Sequence, residues 1–568
     1  MRLINTSTKV LEEFIGRNIP EYAILSHTWA EEEVTFKDFT AGSYNTMKGY
    51  QKIEATCRLA REAGIQYAWV DTCCIDKSSS AELTECINSM YRWYGRSKIC
   101  YVYLSDLPAT TSLEVGLSRC RWFTRGWTLQ ELIAPKMIDF YDQEWHRRGE
   151  KASLLQDLSS ITGIRSSILE HEQPLSAVLV AERMSWASSR QTTRVEDTSY
   201  CLLGIFGVHM PMLYGEEENA FRRLQEEIIK NIPDISIFAW KLDPGSPKLP
   251  DTGDRRVYSS VLASSPSAFH GFGSVCTSPM PVKEFRTSNQ GIILHSRVVL
   301  EQIRSRKALR YILHVYESGN GSDLGIRLRK LDTGMLVRED PYQITKIDWS
   351  FSRYSVLRSL CLLTELPQFG SSHPWHIDFS RHNVLQIELP KELNFRDIRP
   401  WTKWDDESEV FFAPQKAKFG CGAAGMEGLL SQWTGKKGVI SVQVTCMFYA
   451  LVAWSLESGA RLQCTIIDRR SFDAAVNEIN ARVEDDDQSL VELLQNFDYY
   501  KIPRQSSVCF DTDRDGMKAV VSFVTERATD PALCQGPLWR VVFSWKFYRT
   551  KDVPRVEDRK WSGNIQFD

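Results

Sequence analysis

From Met1 to about Tyr141, short apolar runs alternate with amphipathic stretches. The run YAILSHTW (Tyr22–Trp29) predicts a buried strand that ends in small polar residues. IQYAWVDTCCID (Ile65–Asp76), KICYVYLSD (Lys98–Asp106) and MIDFYD (Met137–Asp142) predict three more. Between them, KGYQKIEATCRLAREAG (Lys48–Gly64) has helical spacing at Ile53, Cys57 and Ala60, with Gly64 as its stop. AELTECINSMYRWYG (Ala81–Gly95) reads as a second helix capped by Ser80, and WTLQEL (Trp127–Leu132) as a third. This alternation predicts an α/β unit over 1–145, a mostly parallel sheet flanked by helices. Ligands of such sheets bind beyond the carboxyl ends of the strands. Ser26, His27 and Trp29 stand there, then Asp71 to Asp76, then Ser105 and Asp106. Glu131, on the helix after the third strand, is placed to face the same crevice.

Over 146–241 the pattern is mainly helical, as in SLLQDLSSITGI (Ser153–Ile164), RMSWASSR (Arg183–Arg190) and NAFRRLQEEIIKNI (Asn219–Ile232). A Pro-, Gly- and Ser-rich passage from Leu242 to Gly253 reads as a linker. Over 254–568 strand-like alternation takes over. It is clearest at Gln290–Leu300, Leu309–Ser318, Leu324–Leu331, Val439–Trp454, Met517–Val524 and Leu538–Tyr548. One helical interruption, Phe472–Val483, precedes an acidic run at Glu484–Asp487 that reads as solvated surface. This half is expected to be a β-rich, sandwich-like domain.

At 568 residues the chain is too long for one core. Its 43% hydrophobic content supports packed domains throughout. Net charge is −3, and the only local basic concentration is Arg119, Arg121 and Arg125, which argues against nucleic acid as partner. The 14 cysteines form no repeating framework and no metal-ligand spacing, so no metal is expected and the thiols should stay reduced. MRLINTSTKVLEEF carries charges where a secretory leader needs an apolar run. The longest apolar stretch, near Cys446–Leu456, is too short to cross a bilayer, and a cytoplasmic location is expected. TGKKGVIS lacks the spacing of a phosphate-cradling loop, and no solenoid or propeller repeat is evident.

Chemistry concentrates in WFTRGWTLQEL, Trp122 to Leu132. Two tryptophans (Trp122, Trp127), the cation Arg125 and the lone acid Glu131 meet at a strand-to-helix junction. That grouping suits a planar, charged ligand beside a catalytic carboxylate; the alternative is a core tryptophan pair and an acid that favours the helix dipole. His27 reads equally as a structural histidine or a ligand contact. A rival site would pair Cys73 or Cys74 as nucleophile with His27 as base and Asp76 as orienter.

YAILSHTW, YAWVDTCCIDKSSSAELTECINSMYRWY and SRCRWFTRGWTLQELIAP, in that order over about Met1 to Pro135, resemble the HET (heterokaryon incompatibility) domain of filamentous fungi. MSWASSRQTTRVEDTSYCLLGIFGVHMPMLYGEEENAFRRLQEEI resembles the segment that accompanies this domain in many vegetative incompatibility proteins. Some relatives continue into a nucleotide-binding module and a repeat propeller; this chain continues into its own β-rich region, so nucleotide-gated assembly is not implied. The resemblance implies a cell-death effector that acts when unlike strains fuse.

HET domains in turn resemble TIR domains, which implies a TIR-like fold and a mechanism. TIR folds place a glutamate after the third strand in a W-C-x-x-E-L motif. Trp127, Glu131 and Leu132 match it, with Thr128 in place of cysteine. The resemblance implies that Glu131 cleaves NAD at its nicotinamide–ribose bond, with NAD as substrate and no separate cofactor. Ser26, His27, Trp29, Asp71, Asp76, Arg125 and Trp127 are the implied substrate-binding residues, with Asp76 and Lys77 in a gating loop. Self-association is implied as well. The alternative is a non-enzymatic, self-associating death-signalling adaptor. The β-rich half is expected to hold a trigger or a partner, whether protein, glycan or lipid, and to restrain the effector, since a free NAD-cleaving domain would harm its host.

Overall fold

The computed structural model describes residues 1–243, apart from residue 17, and a series of segments between 257 and 553. Its N-terminal sheet has seven strands: β1 (Arg2–Asn5), β2 (Leu11–Glu13), β3 (Tyr22–His27), β4 (Tyr67–Trp69), β5 (Ile99–Tyr103), β6 (Ile138–Tyr141) and β7 (Arg147–Glu150). They lie in the order β2-β1-β4-β3-β5-β6-β7. The centre, β4-β3-β5-β6, is parallel, and β1, β2 and β7 close the edges antiparallel. Chain order reverses on the two sides of β3, and a crevice opens at such a switch point.

The strand expected over Ile65–Asp76 is only three residues long. After Trp69 the backbone turns, with the Cys74 amide donating to Val70 O at 2.9 Å. Asp76 then closes a local turn by accepting from the Ser78 amide at 3.0 Å. These polar contacts are local, so the apolar run carries a turn rather than a ladder.

Five helices flank the sheet: α1 (Phe36–Ala41), α2 (Tyr50–Glu62), α3 (Ser80–Arg96), α4 (Leu113–Gly116) and α5 (Thr128–Ile133). Alternation along the strands sorts the two faces. Ala23, Tyr101 and Tyr141 pack with Ala60 and Ile65 on one side. Ile24, Cys100 and Val102 join the larger core with Trp93, Tyr94 and Leu129. Two tyrosines tie α3 to β3: Tyr22 donates to Trp93 O at 2.6 Å, and Tyr94 to Leu25 O at 3.0 Å. The cap of α3 is Ser79 rather than Ser80, because Ser79 Oγ accepts from the Glu82 amide. Gly95 lies inside α3, which runs on to Arg96.

The helical middle contains α6 (Leu155–Thr162), α7 (Ser166–Leu169), α8 (Val180–Ser185), α9 (Asp197–Tyr200), α10 (Leu203–Phe206) and α11 (Asn219–Asn231). α10 seats closely on α3: a Cβ at Gly204 would lie 2.1 Å from Tyr91 Cβ.

Beyond it, Ile292–Gln302, Ser352–Leu362, Leu336–Glu339, Leu324–Lys330 and Leu309–Glu317 pair in succession. Ile292–Gln302 also pairs with Leu309–Glu317, so these five strands close into a barrel rather than one layer of a sandwich. Later strands form a six-stranded and a four-stranded sheet, and side chains of both share one core, including Phe411, Phe448 and Phe543. That second arrangement is the layered packing the alternation leads one to expect. The apolar core that starts at Leu3 runs without a break to Leu362. The linker expected at Leu242–Gly253 lies largely outside the described residues, as do most of the Phe472–Val483 helix and the acidic run at Glu484–Asp487.

Candidate active site

The ends of β3 and β4, the start of α5 and two later segments enclose a cavity of about 330 Å³. β3 and its following turn contribute His27 and Trp29, and the β4–α3 connection contributes Asp71, Ile75 and Lys77. The side of α3 supplies Leu83, Ile87, Met90 and Tyr94. Arg125, Trp127, Thr128 and Glu131 come from the α5 junction. Thr193, Arg194, Asp197 and Tyr214 come from the helical middle.

All six residues of α5 are buried, and Glu131 is 7% exposed. The junction holds α5 by polar contacts. Thr128 Oγ1 donates to Trp122 O at 2.5 Å, and Arg190 Nη1 donates to Arg125 O at 2.8 Å. At the other end of α5, the buried Lys151 ammonium donates to Pro135 O at 2.8 Å, a cation where helix carbonyls lack partners.

Ser26 lies beneath Glu131. Its Oγ accepts from Trp122 Nε1 at 2.7 Å and donates to Glu131 Oε2 at 2.5 Å. Because the indole proton occupies the serine oxygen, the single hydroxyl proton is directed at the carboxyl. Burial pushes the Glu131 carboxyl up to about 8; the Ser26 hydrogen bond opposes this, Asp71 adds to it, and Arg125 opposes it. At neutral pH the carboxyl is therefore mainly protonated. A cation entering the cavity favours the carboxylate, so its arrival releases a proton.

His27 is 6% exposed, and burial pulls its imidazole down to about 4. Its ring nitrogens lie 3.8 Å from Glu33 and 3.9 Å from Asp71, too far for hydrogen bonds. Among the described residues His27 Nε2 and Asp71 Oδ1 have no hydrogen-bond partner. Trp29 Nε1 donates to Asp71 Oδ2 at 2.9 Å, and the Lys77 ammonium stands 3.5 Å over the Trp29 ring. Trp29, 42% exposed, is a rim residue rather than core.

Of the expected site residues, His27, Trp29, Asp71, Arg125, Trp127 and Glu131 line one cavity. Ser26 sits below its floor, and Asp76, occupied with Ser78, does not line it. Neither Cys73 nor Cys74 lines the cavity, and burial holds the Cys73 thiol well above its ordinary value, so the thiol site is not assembled. Sequence reasoning did not anticipate Tyr94 or the four residues of the helical middle. The polar run RQTTRVED (Arg190–Asp197), interrupting helical periodicity, was the available signal. Among the described residues no group of three or more His, Cys, Asp or Glu is arranged to hold a metal ion. No helix among them is long and apolar enough to cross a membrane.

Residues 22–117 match the family model for heterokaryon incompatibility protein (HET). Residues 219–307 match a domain of unknown function (DUF8212). The chain is 48% identical over 223 residues to the vegetative incompatibility protein HET-E-1 of Podospora anserina. That alignment covers 38% of this chain and 16% of the relative, so the chain spans a small part of that protein's length. No solved structure matches.

Proposed function

This chain carries a HET domain, and from that premise we propose that it acts in vegetative incompatibility as a cell-death effector that cleaves NAD at the nicotinamide–ribose bond. The observation that carries the proposal is the buried Glu131 carboxyl, aimed by Ser26 and Trp122 at a cavity of about 330 Å³. The parallel strand order around β3 supports a TIR-like reading, since it places that cavity at a switch point.

The nicotinamide of NAD is cationic and leaves neutral, so its departure needs no general acid. Glycosidases ordinarily use two carboxylates, one of them to protonate the leaving group. Here Glu131, ionised as the cationic ring arrives, stabilises the oxocarbenium-like centre and grips ribose hydroxyls. Self-association accompanies this activity in the proposal, completing or stabilising the site.

Glu131→Gln keeps the volume and removes the charge. Nicotinamide release from NAD by the full chain should fall by about 10²–10³-fold, with folding intact by circular dichroism. Equal release by both proteins would remove Glu131 from the chemistry. No release from the unaltered chain, dilute or crowded, together with undiminished toxicity of the variant, would leave the adaptor role instead.

A further inference from the structure

Beyond the carboxylate, the cavity carries three cations of its own: Lys77, Arg125 and Arg194. Among the described residues none of them makes a side-chain ion pair; Lys77 lies over Trp29, and Arg194 lies 4.4 Å over Tyr214. Unpaired cations around a concave site attract anionic ligands. Glu131 does little to offset them at neutral pH, so the three cations outnumber the two other carboxyls of the cavity, Asp71 and Asp197.

Arg125 and Arg194 stand on two chain segments that pair with each other. The Gly126 amide donates to Gln191 O at 2.8 Å, and the Gln191 amide donates to Thr124 O at 2.6 Å. Arg190 adds bonds to Arg125 O and to Thr128 Oγ1 at 3.0 Å. On its other side, Asp197 accepts from Tyr214 Oη at 3.0 Å, and Glu196 holds the Gly215 amide at 2.6 Å. The strap from Arg190 to Tyr214 is thus preorganised against the junction that bears Glu131. It also lies wholly outside the span that matches the HET model.

We infer that this strap is the phosphate-recognising half of the site, with Arg194 and Arg125, and Lys77 at the rim, taking the phosphate groups of a pyrophosphate-bearing nucleotide while Glu131 and Ser26 face its ribose. The choice of a nicotinamide dinucleotide within that class rests on the function proposed above; the demand for phosphate rests on the cations. An arginine suits this role because its fork presents paired donors to phosphate oxygens.

Calorimetric titration of the full chain with ADP-ribose, ADP and adenosine tests the inference without turnover. ADP-ribose and ADP should bind more tightly than adenosine, and their affinity should fall as salt rises. Arg194→Ala and Arg125→Ala should each weaken ADP-ribose binding at least about tenfold and leave adenosine binding unchanged. Arg194 is exposed and, among the described residues, makes no ion pair, so its loss should not disturb folding, and Arg194→Lys should restore part of the affinity. Adenosine binding as tightly as ADP-ribose, or both alanine variants binding ADP-ribose like the unaltered chain, would overturn the inference. Arginine-dependent binding without nicotinamide release would uphold it and defeat the NAD-cleaving reading instead.

Discussion

Glu131 and His27 sit in the same low-dielectric pocket and respond to pH in opposite directions. The Glu131 carboxyl is held at about 8 in the fold, against an ordinary value near 4.5. Between those values the unfolded chain is ionised and the folded one is not, so folding becomes less favourable as pH rises from about 4.5 to about 8. Glu131→Gln should therefore match the unaltered chain in thermal stability near pH 4 and exceed it near pH 8, a comparison open to differential scanning calorimetry. The proposed catalysis runs the other way. If the ionised form works, kcat/KM for NAD should climb about tenfold per pH unit from pH 6 and level off near pH 8. A flat profile would contradict that role. His27, pulled down to about 4, contributes stability above its unfolded value of 6.5 that is lost as pH falls through 4, and His27→Gln should lessen that acid loss.

At the scale of elements, periodicity was a good guide wherever packing is one-sided or strictly alternating. Every strand expected in the β-rich half, from Gln290–Leu300 to Leu538–Tyr548, has a counterpart of nearly the same limits. It failed at Val70–Asp76, where an apolar run is buried as a turn because local polar bonds outcompete a ladder. The edge strands β1 and β2 left no clear signal, being short and half polar. The contact of α10 with α3 was illegible for another reason: it depends on one missing side chain. Gly204→Ala should push Tyr91 aside and cost about 1–3 kcal/mol in denaturant unfolding. A change below about 0.5 kcal/mol would show that the two helices part freely.

Across the whole molecule, the core that begins in β1 extends through the helical middle into the barrel. Arg338, fully buried in the barrel, donates to Phe238 O at 2.9 Å and to Trp240 O, and stacks 3.9 Å over the Trp240 ring. Gln225 of α11 exchanges hydrogen bonds with Ala263 at 2.8 and 3.0 Å. A chain ending after residue 366 should keep this core, whereas one ending after residue 243 leaves Phe238, Trp240 and Gln225 without their partners. The shorter chain should melt roughly 5–10 °C lower, or lose a cooperative transition altogether. Equal melting of the two would mean that the barrel merely abuts the helices. Comparing their toxicity with that of the full chain tests whether the β-rich half restrains the effector.

Periodicity and motif spacing were enough to identify the strand–helix alternation, the barrel and sandwich strands, and Glu131 as the acid at a strand-to-helix junction. These are matters of near neighbours along the chain, which side-chain size and polarity encode directly. The other wall of the cavity followed only from folding in three dimensions. Arg194, Asp197 and Tyr214 line the same cavity as Glu131 because a backbone pairing joins Gly126 to Gln191 and the helical middle closes over it. A contact between residues so far apart in the chain leaves no period to read, and the elevated carboxyl follows from the burial that contact completes.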